Sequence, residues 1–222
     1  MSVPPAVQEF RRDYRARELS PRYSGWGHFA FTSIGTLTAI AVAASWIEGL
    51  SPLELITVPA TFLFANVVEY FGHRGPMHHP RRGLRLLYQR HTRQHHRFYT
   101  HAAMICESSR DFQMILFPPV MLGFFLGAVA TPIGLLLYWL ASANVGLLFA
   151  ITALGYFLTY EWLHLCYHLE PSSWAGRLPF MSRLRRHHTR HHDPALMSSW
   201  NFNITFPICD RVMGTSHPGK RA

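Results

Sequence analysis

The sequence predicts an all-α integral membrane protein: four transmembrane helices in two hairpins, with a cytosolic helical cap that carries a histidine-rich site. Three observations predict it. No Asp, Glu, Lys or Arg occurs in the 49 residues from Phe112 to Tyr160. All 21 Lys and Arg residues fall outside the apolar runs, in three blocks. Ten of the 15 histidines stand in four tight clusters at or beyond the ends of those runs. Length adds that 222 residues make one domain or two small ones.

The elements follow in order. Residues 1–24 read as an exposed, partly helical, basic cytosolic arm, and residues 25–222 as a single membrane-embedded catalytic domain. The uncharged run His28 to Ile47 is long enough to cross a bilayer once. Pro52 to Phe71 is apolar with Glu54 and Glu69 near its ends, and forms the second span. A polar stretch, 72–111, comes next. As one helix the 49-residue run would be roughly 73 Å long at about 1.5 Å per residue, over twice a bilayer core of about 30 Å. It therefore holds two spans, about 112–130 and 133–160, with a turn expected at Ala130-Thr131-Pro132-Ile133-Gly134. A polar C-terminal region closes the chain. No cleavable signal peptide is expected, because the N-terminus is polar and Arg-rich and the first apolar run is long enough to span. The three cysteines are far apart and odd in number, so no disulfide framework is expected.

Charge sets the topology. Five basic residues precede the first span, eight lie between 74 and 110, and eight between 177 and 221, whereas the expected hairpin tips near Ser51 and Thr131 carry none. The positive-inside rule then puts both termini and the middle region on the cytoplasmic side. A net charge of +9 and a pI near 10 could suggest a nucleic-acid surface, but with spans of this length a basic membrane-facing surface is the simpler account, and no nucleic-acid partner is expected.

The same topology gathers the histidine clusters on one membrane face. They are His73 and His78; His91, His95 and His96; His164 and His168; His188, His191 and His192. Neutral imidazole is a metal ligand without charge, and ten of them fill the coordination of two ions. Pairs at i, i+4, such as His91/His95, His164/His168 and His188/His192, share a helical face and either hold one ion or bridge two. His73 and His78 are five apart across Gly75 and Pro76, so the helix is expected to end there and turn His78 back. About five ligands per ion is too many for a closed tetrahedral zinc site, and open octahedral positions suit two iron ions that bind O2, although zinc can occupy such sites in a purified sample. Ligating imidazoles usually donate their second N–H to a carboxylate or carbonyl. Glu69, Glu161, Asp193 and Asp210 are the nearby acids and candidate outer partners, with His79 and His187 beside the ligands. His101 is a weaker candidate, His28 is read as interfacial, and His217 as a bystander.

With these motifs in view, the chain resembles the fatty acid hydroxylase / sterol desaturase superfamily. The resemblance rests on EYFGHRGPMHHP, GYFLTYEWLHLCYH and RRHHTRHHD, and on NFNITFPICDRVMGT, which is similar to that family's closing signature. It covers about residues 50 to 215. GY-x3-Y-E before the third cluster and RDFQMILFPP make it most similar to the catalytic domain of fatty acid 2-hydroxylases. The spacing in the second cluster and the His-Leu that ends the third depart from that branch. The resemblance implies a cytosol-facing di-iron centre held by those ten histidines, and O2-dependent hydroxylation of a lipid C–H bond, 2-hydroxylation of an acyl chain being favoured. A fused cytochrome b5 domain, common in eukaryotic members, is not in the sequence, so electrons are expected from a separate cytochrome b5-, ferredoxin- or reductase-type protein. Fold and family fix reaction class better than substrate.

Two other functions are weighed against this one. A lipid, sterol or carotenoid desaturase or oxidase of the same superfamily differs in product mass: two hydrogens lost against one oxygen gained. A membrane metal-binding or transport protein would place ligands within the bilayer along a pathway, and here the spans are nearly ligand-free. An acyl slot would be apolar, with Phe62, Phe64, Phe71, Trp139, Tyr156, Phe157 and Trp162 as candidates. Arg81, Arg82, Arg85 and Arg93 would form a basic rim.

Overall fold

The computed structural model describes residues 3–218. Among the described residues it is helical, with one isolated bridge (Thr100 to Ala103) and no strand. Four helices are long and apolar enough to cross a membrane: Gly25–Ala44, Glu54–Met77, Val120–Leu140 and Ala143–His168. The chain divides into two compact units.

The apolar unit comprises Trp26–Ala65 and Phe117–Glu161. Its outward side chains include Phe31, Ile34, Leu63, Leu135 and Trp139, which is 81% exposed, while Thr32, Ser33, Thr36, Thr61 and Asn144 are buried. Such an inside-out distribution suits a lipid solvent, where large apolar patches are the favourable exterior. Thr36 spends its hydroxyl on the Thr32 carbonyl at 2.7 Å, which satisfies that buried donor. His28, near the start of the first span, is buried, and its Nε2 donates to the Phe117 carbonyl at 2.9 Å.

The third span does not turn at residues 130–134. It runs through them as Val120–Phe124, a π-helical segment Phe125–Ala130, and Thr131–Leu140. Proline breaks a helix because it lacks an N–H and its ring meets the carbonyl four residues back. Here the wide π turn precedes Pro132 and absorbs both problems. Gly134 serves helix packing instead of a turn: a Cβ there would sit 3.2 Å from the Gly146 carbonyl oxygen. The real tip is Ala141–Ser142, with Ser142 Oγ accepting from Val145 N at 3.2 Å to start the fourth span. Glu54 ties the two tips together, accepting from Ser142 Oγ at 2.5 Å and Asn144 Nδ2 at 3.1 Å. A Cβ on Gly146 would run into the Gly134 carbonyl and crowd Tyr138. Gly146→Val is therefore expected to lower stability by about 1–3 kcal/mol, the usual cost of overpacking; thermal denaturation in detergent measures it.

This unit also holds an apolar cavity of about 530 Å³ lined by Leu53, Ile56, Ala60, Phe64, Ile133 and Phe149 among others. Of the aromatic residues expected to line a slot, only Phe64 borders it. Phe62 packs edge-on against Tyr156 at 5.4 Å, Phe157 lies against Phe125 at 4.7 Å, and Trp139 points outward.

The polar unit contains the chain up to Gly25, Asn66–Leu116, and the chain from Trp162 onward. Its N-terminal helix, Pro5–Arg17, is helical as expected, but it is packed rather than exposed, with Val7, Arg11 and Tyr14 buried. Charge composition concealed this, because the buried guanidinium of Arg11 has all its partners inside the unit. All four histidine clusters lie in this unit. The three cysteines are free.

Candidate metal centre

Each of the ten histidines lies in a helical element or caps one. His73 ends the second span, where residues His73–Met77 are π-helical, and Gln89–His95 is π-helical as well. A π turn brings residues five apart onto one face. It therefore joins His73 to His78 (Nε2 atoms 3.3 Å apart) and His91 to His96 (3.0 Å). The expected return of His78 thus occurs within a π turn that accommodates Pro76. His164 and His168 end the fourth span, and the basic helix Met181–His191 with its cap residue carries the last three.

The ten histidines converge in two groups of five, all buried. One is His73, His78, His91, His96 and His191; the other is His95, His164, His168, His188 and His192. Within each group the candidate ligand atoms lie within 4.8 Å of one another. The pairs His164/His168 and His188/His192 stay together, whereas His91/His95 and His188/His191 are divided between the groups.

Hydrogen bonds to the back of the rings fix the tautomers of His73, His78, His95, His168, His191 and His192. A carbonyl only accepts, so the Nδ1 facing it carries the proton and leaves the Nε2 lone pair free. His73 donates in this way to Phe202 O. His95 donates to Met114 O (2.7 Å), His168 to Met104 O (2.7 Å), His191 to Trp200 O (2.9 Å) and His192 to Tyr99 O (2.6 Å). Thr92 Oγ1 gives its proton to Met77 O and so accepts from His78 Nδ1 at 3.2 Å. Lone pair then faces lone pair between His78 and His191 (Nε2 to Nε2, 3.0 Å) and between His95 and His192 (3.2 Å). Neither nitrogen of such a pair has a proton to give, and only a cation between them makes the arrangement favourable.

The spacing fits a metal ion. With a metal–nitrogen bond of about 2.1 Å, neighbouring ligands are about 3.0 Å apart in an octahedron and about 3.4 Å apart in a tetrahedron. The closest Nε2 pairs are 2.7 Å (His73 to His91) to 3.3 Å apart in the first group and 3.0 Å (His188 to His192) to 3.2 Å apart in the second, and all candidate ligand atoms of a group lie within 4.8 Å of one another. Donors at these distances can share one ion in each group. Burial, joined by the mutual repulsion of neighbouring rings, lowers the pKa of His78, His91, His96, His188, His191 and His192, and that of His95 to about 3. The rings are therefore neutral at ordinary pH, as ligands must be.

The acids expected beside the rings accept from backbone and side-chain donors. Glu69 grips the closing loop, accepting from Ile204 N, Thr205 N (3.0 Å) and Thr205 Oγ1 (2.6 Å), and that loop supplies the Phe202 carbonyl to His73. Glu161 accepts from Phe117 N at 3.2 Å. Asp193 accepts from Ala195 N at 2.9 Å, in a turn after the last cluster. His79 is exposed. His187 meets Asp210 at 3.1 Å. The His101 side chain is exposed, though its N–H donates to His192 O at 3.1 Å.

Asp210, also among the acids expected near the rings, is fully buried and accepts from Phe202 N (2.9 Å), Asn203 N (2.8 Å) and Thr215 Oγ1 (2.8 Å), and so shapes the loop whose carbonyls orient His73 and His191. Thr92 was not expected. Thr92 lies inside the second cluster and carries no signal of its own. Most of the ring partners are main-chain carbonyls, which no residue type announces.

Comparison with known proteins agrees with this architecture. The chain matches a solved structure of full-length Scs7p, in which only the hydroxylase domain is visible, with a TM-score of 0.63 and 18% identity, over 93% of this chain and 72% of that one. No curated protein matches it. The family model described as fatty acid hydroxylase matches residues 58–215, a stretch that begins in the second span and ends just beyond Asp210 at Thr215, taking in all ten clustered histidines. The chain belongs to the fatty acid hydroxylase family.

Proposed function

We propose that the two groups each hold an iron ion and that the protein hydroxylates an acyl chain of a fatty acid or complex lipid, with carbon 2 as the favoured position. The observation that carries this is the pair of buried five-imidazole groups, each with its candidate ligand atoms within 4.8 Å of one another. Iron there would supply reductive activation of O2, which an unactivated C–H bond requires. The balance is R–H + O2 + two electrons + two protons giving R–OH + H2O.

The chain's own part is to hold and to exclude. These neutral nitrogens would hold a divalent ion in each group without adding charge of their own. The Nδ1 donors lock the rings, so little reorganisation accompanies binding. Burial of all ten rings keeps bulk water out. Electrons come from a separate redox protein, and exposed Arg81, Arg82, Arg85 and Arg93 offer it, or a lipid headgroup, a basic surface. The positive-inside distribution of Lys and Arg supports a cytoplasmic side for the segments that carry the histidines.

Expression in a host without such enzymes, with iron and a reductase supplied, tests the reading. Lipids that gain one oxygen, and lose that gain with His188→Ala, support it. Loss of two hydrogens assigns a desaturase instead. Lipids unchanged between folded, iron-loaded wild type and the variant rule out lipid oxidation altogether.

A further inference from the structure

The two groups of histidines are oriented by different parts of the chain. For the first, the Nδ1 acceptors are Phe202 O, Trp200 O and Thr92 Oγ1. For the second they are Tyr99 O, Met104 O and Met114 O, all on the segment that follows the second cluster. That segment is gripped from the N-terminal helix. Arg11, 1% exposed, donates from Nε to Phe98 O (2.9 Å), from Nη2 to Ala103 O (2.7 Å) and from Nη1 to Glu107 Oε1 (2.7 Å). Its guanidinium also lies 5.1 Å and 5.2 Å from the ring centroids of Phe98 and Tyr99.

The two gripped carbonyls each precede a working one. Phe98 is followed by Tyr99, whose carbonyl holds His192, and Ala103 by Met104, whose carbonyl holds His168. The same strap is bonded to the backbone of both histidines, through His101 N to His192 O (3.1 Å) and Cys106 N to His168 O (2.8 Å). Arg15 pins its far end through Asp111 (2.9 and 2.7 Å), which in turn accepts from Glu107 N and Ser108 N.

We propose that Arg11 is a positioning residue for the second histidine group alone, holding residues 98–107 so that the Tyr99 and Met104 carbonyls lock the tautomer and angle of His192 and His168. This rests on the reading that each group binds an ion. A buried guanidinium is costly unless its N–H donors are paired, so Arg11 and the strap fix each other. Loss of an outer-shell partner typically weakens a metal site about 10–100-fold.

The test uses the full chain, loaded with Zn2+, and follows release to a chromophoric chelator. His78→Ala leaves the second group intact and His188→Ala leaves the first. Adding Arg11→Met to His78→Ala is expected to speed release at least about tenfold, and adding it to His188→Ala to leave release unchanged. Equal acceleration in both backgrounds would mean general loosening and overturns the proposal, as does no acceleration in either. If neither single variant binds a stoichiometric ion, the two-ion reading itself has failed, and the proposal with it. Should Arg11→Met not fold, Arg11→Lys, which keeps the ion pair but not the forked grip, replaces it: partial acceleration confined to the His78→Ala background is expected, and acceleration in both or in neither counts against the proposal as before.

Discussion

Alanine at His188 is expected to leave one bound ion per chain instead of two and to reduce hydroxylated lipid by more than about 100-fold, beyond the upper end for an outer-shell residue. Alanine at His187, the adjacent residue, is expected to keep both ions. The two rings leave the same helix in different directions. His188 is fully buried, with its Nε2 3.2 Å from that of His168 and 3.0 Å from that of His192, while His187 turns to Asp210. His95→Ala and His96→Ala extend the contrast, since neighbours in sequence belong to opposite groups and each is expected to cost a different ion. Metal analysis of purified protein together with product mass spectrometry decides it. Equal ion loss from His187→Ala and His188→Ala would contradict the assignment.

Asp210→Ala is expected to be the most destabilising change outside the ten histidines. It removes the acceptor of two buried backbone N–H groups, those of Phe202 and Asn203, and of the Thr215 hydroxyl. An unsatisfied buried donor costs about 1–3 kcal/mol, so the two backbone groups alone amount to about 2–6 kcal/mol. The damage also has a direction. The freed loop carries the carbonyls that orient His73 and His191, both in the first group. Thermal unfolding in detergent and the retained metal content report the two effects, and a variant with wild-type melting behaviour would sink the account of Asp210 as the hub of that loop.

Much of this molecule was open to sequence reading, for reasons that differ by element. Hydropathy reveals a span because lipid leaves no choice about composition, and four spans were expected and found. The second hairpin tip was displaced by about ten residues because Pro132 and Gly134 look the same in a turn and in a helix that has a π segment before the proline and a glycine contact after it. Histidine clusters announce themselves by residue type. Their division into groups does not follow from i, i+4 spacing, because two of the carrying elements wind as π-helices. Arg11 reads as one more charge on a basic arm, since a sequence shows that a residue is cationic but not that two carbonyls and a carboxylate await it. Carboxylates were the visible candidates for ring partners; the backbone supplied most of them instead.

The division of neighbouring histidines between the groups has a consequence for how this centre tolerates change. His95 serves one group while His91 and His96 serve the other, and on the basic helix His191 is parted from His188 and His192. Inserting or deleting one residue inside either cluster would therefore rotate ligands out of both halves at once. Neither half can be remodelled by shifting a helix, and the two must vary, or be engineered, as one interlocked unit in which only point replacements respect the boundary.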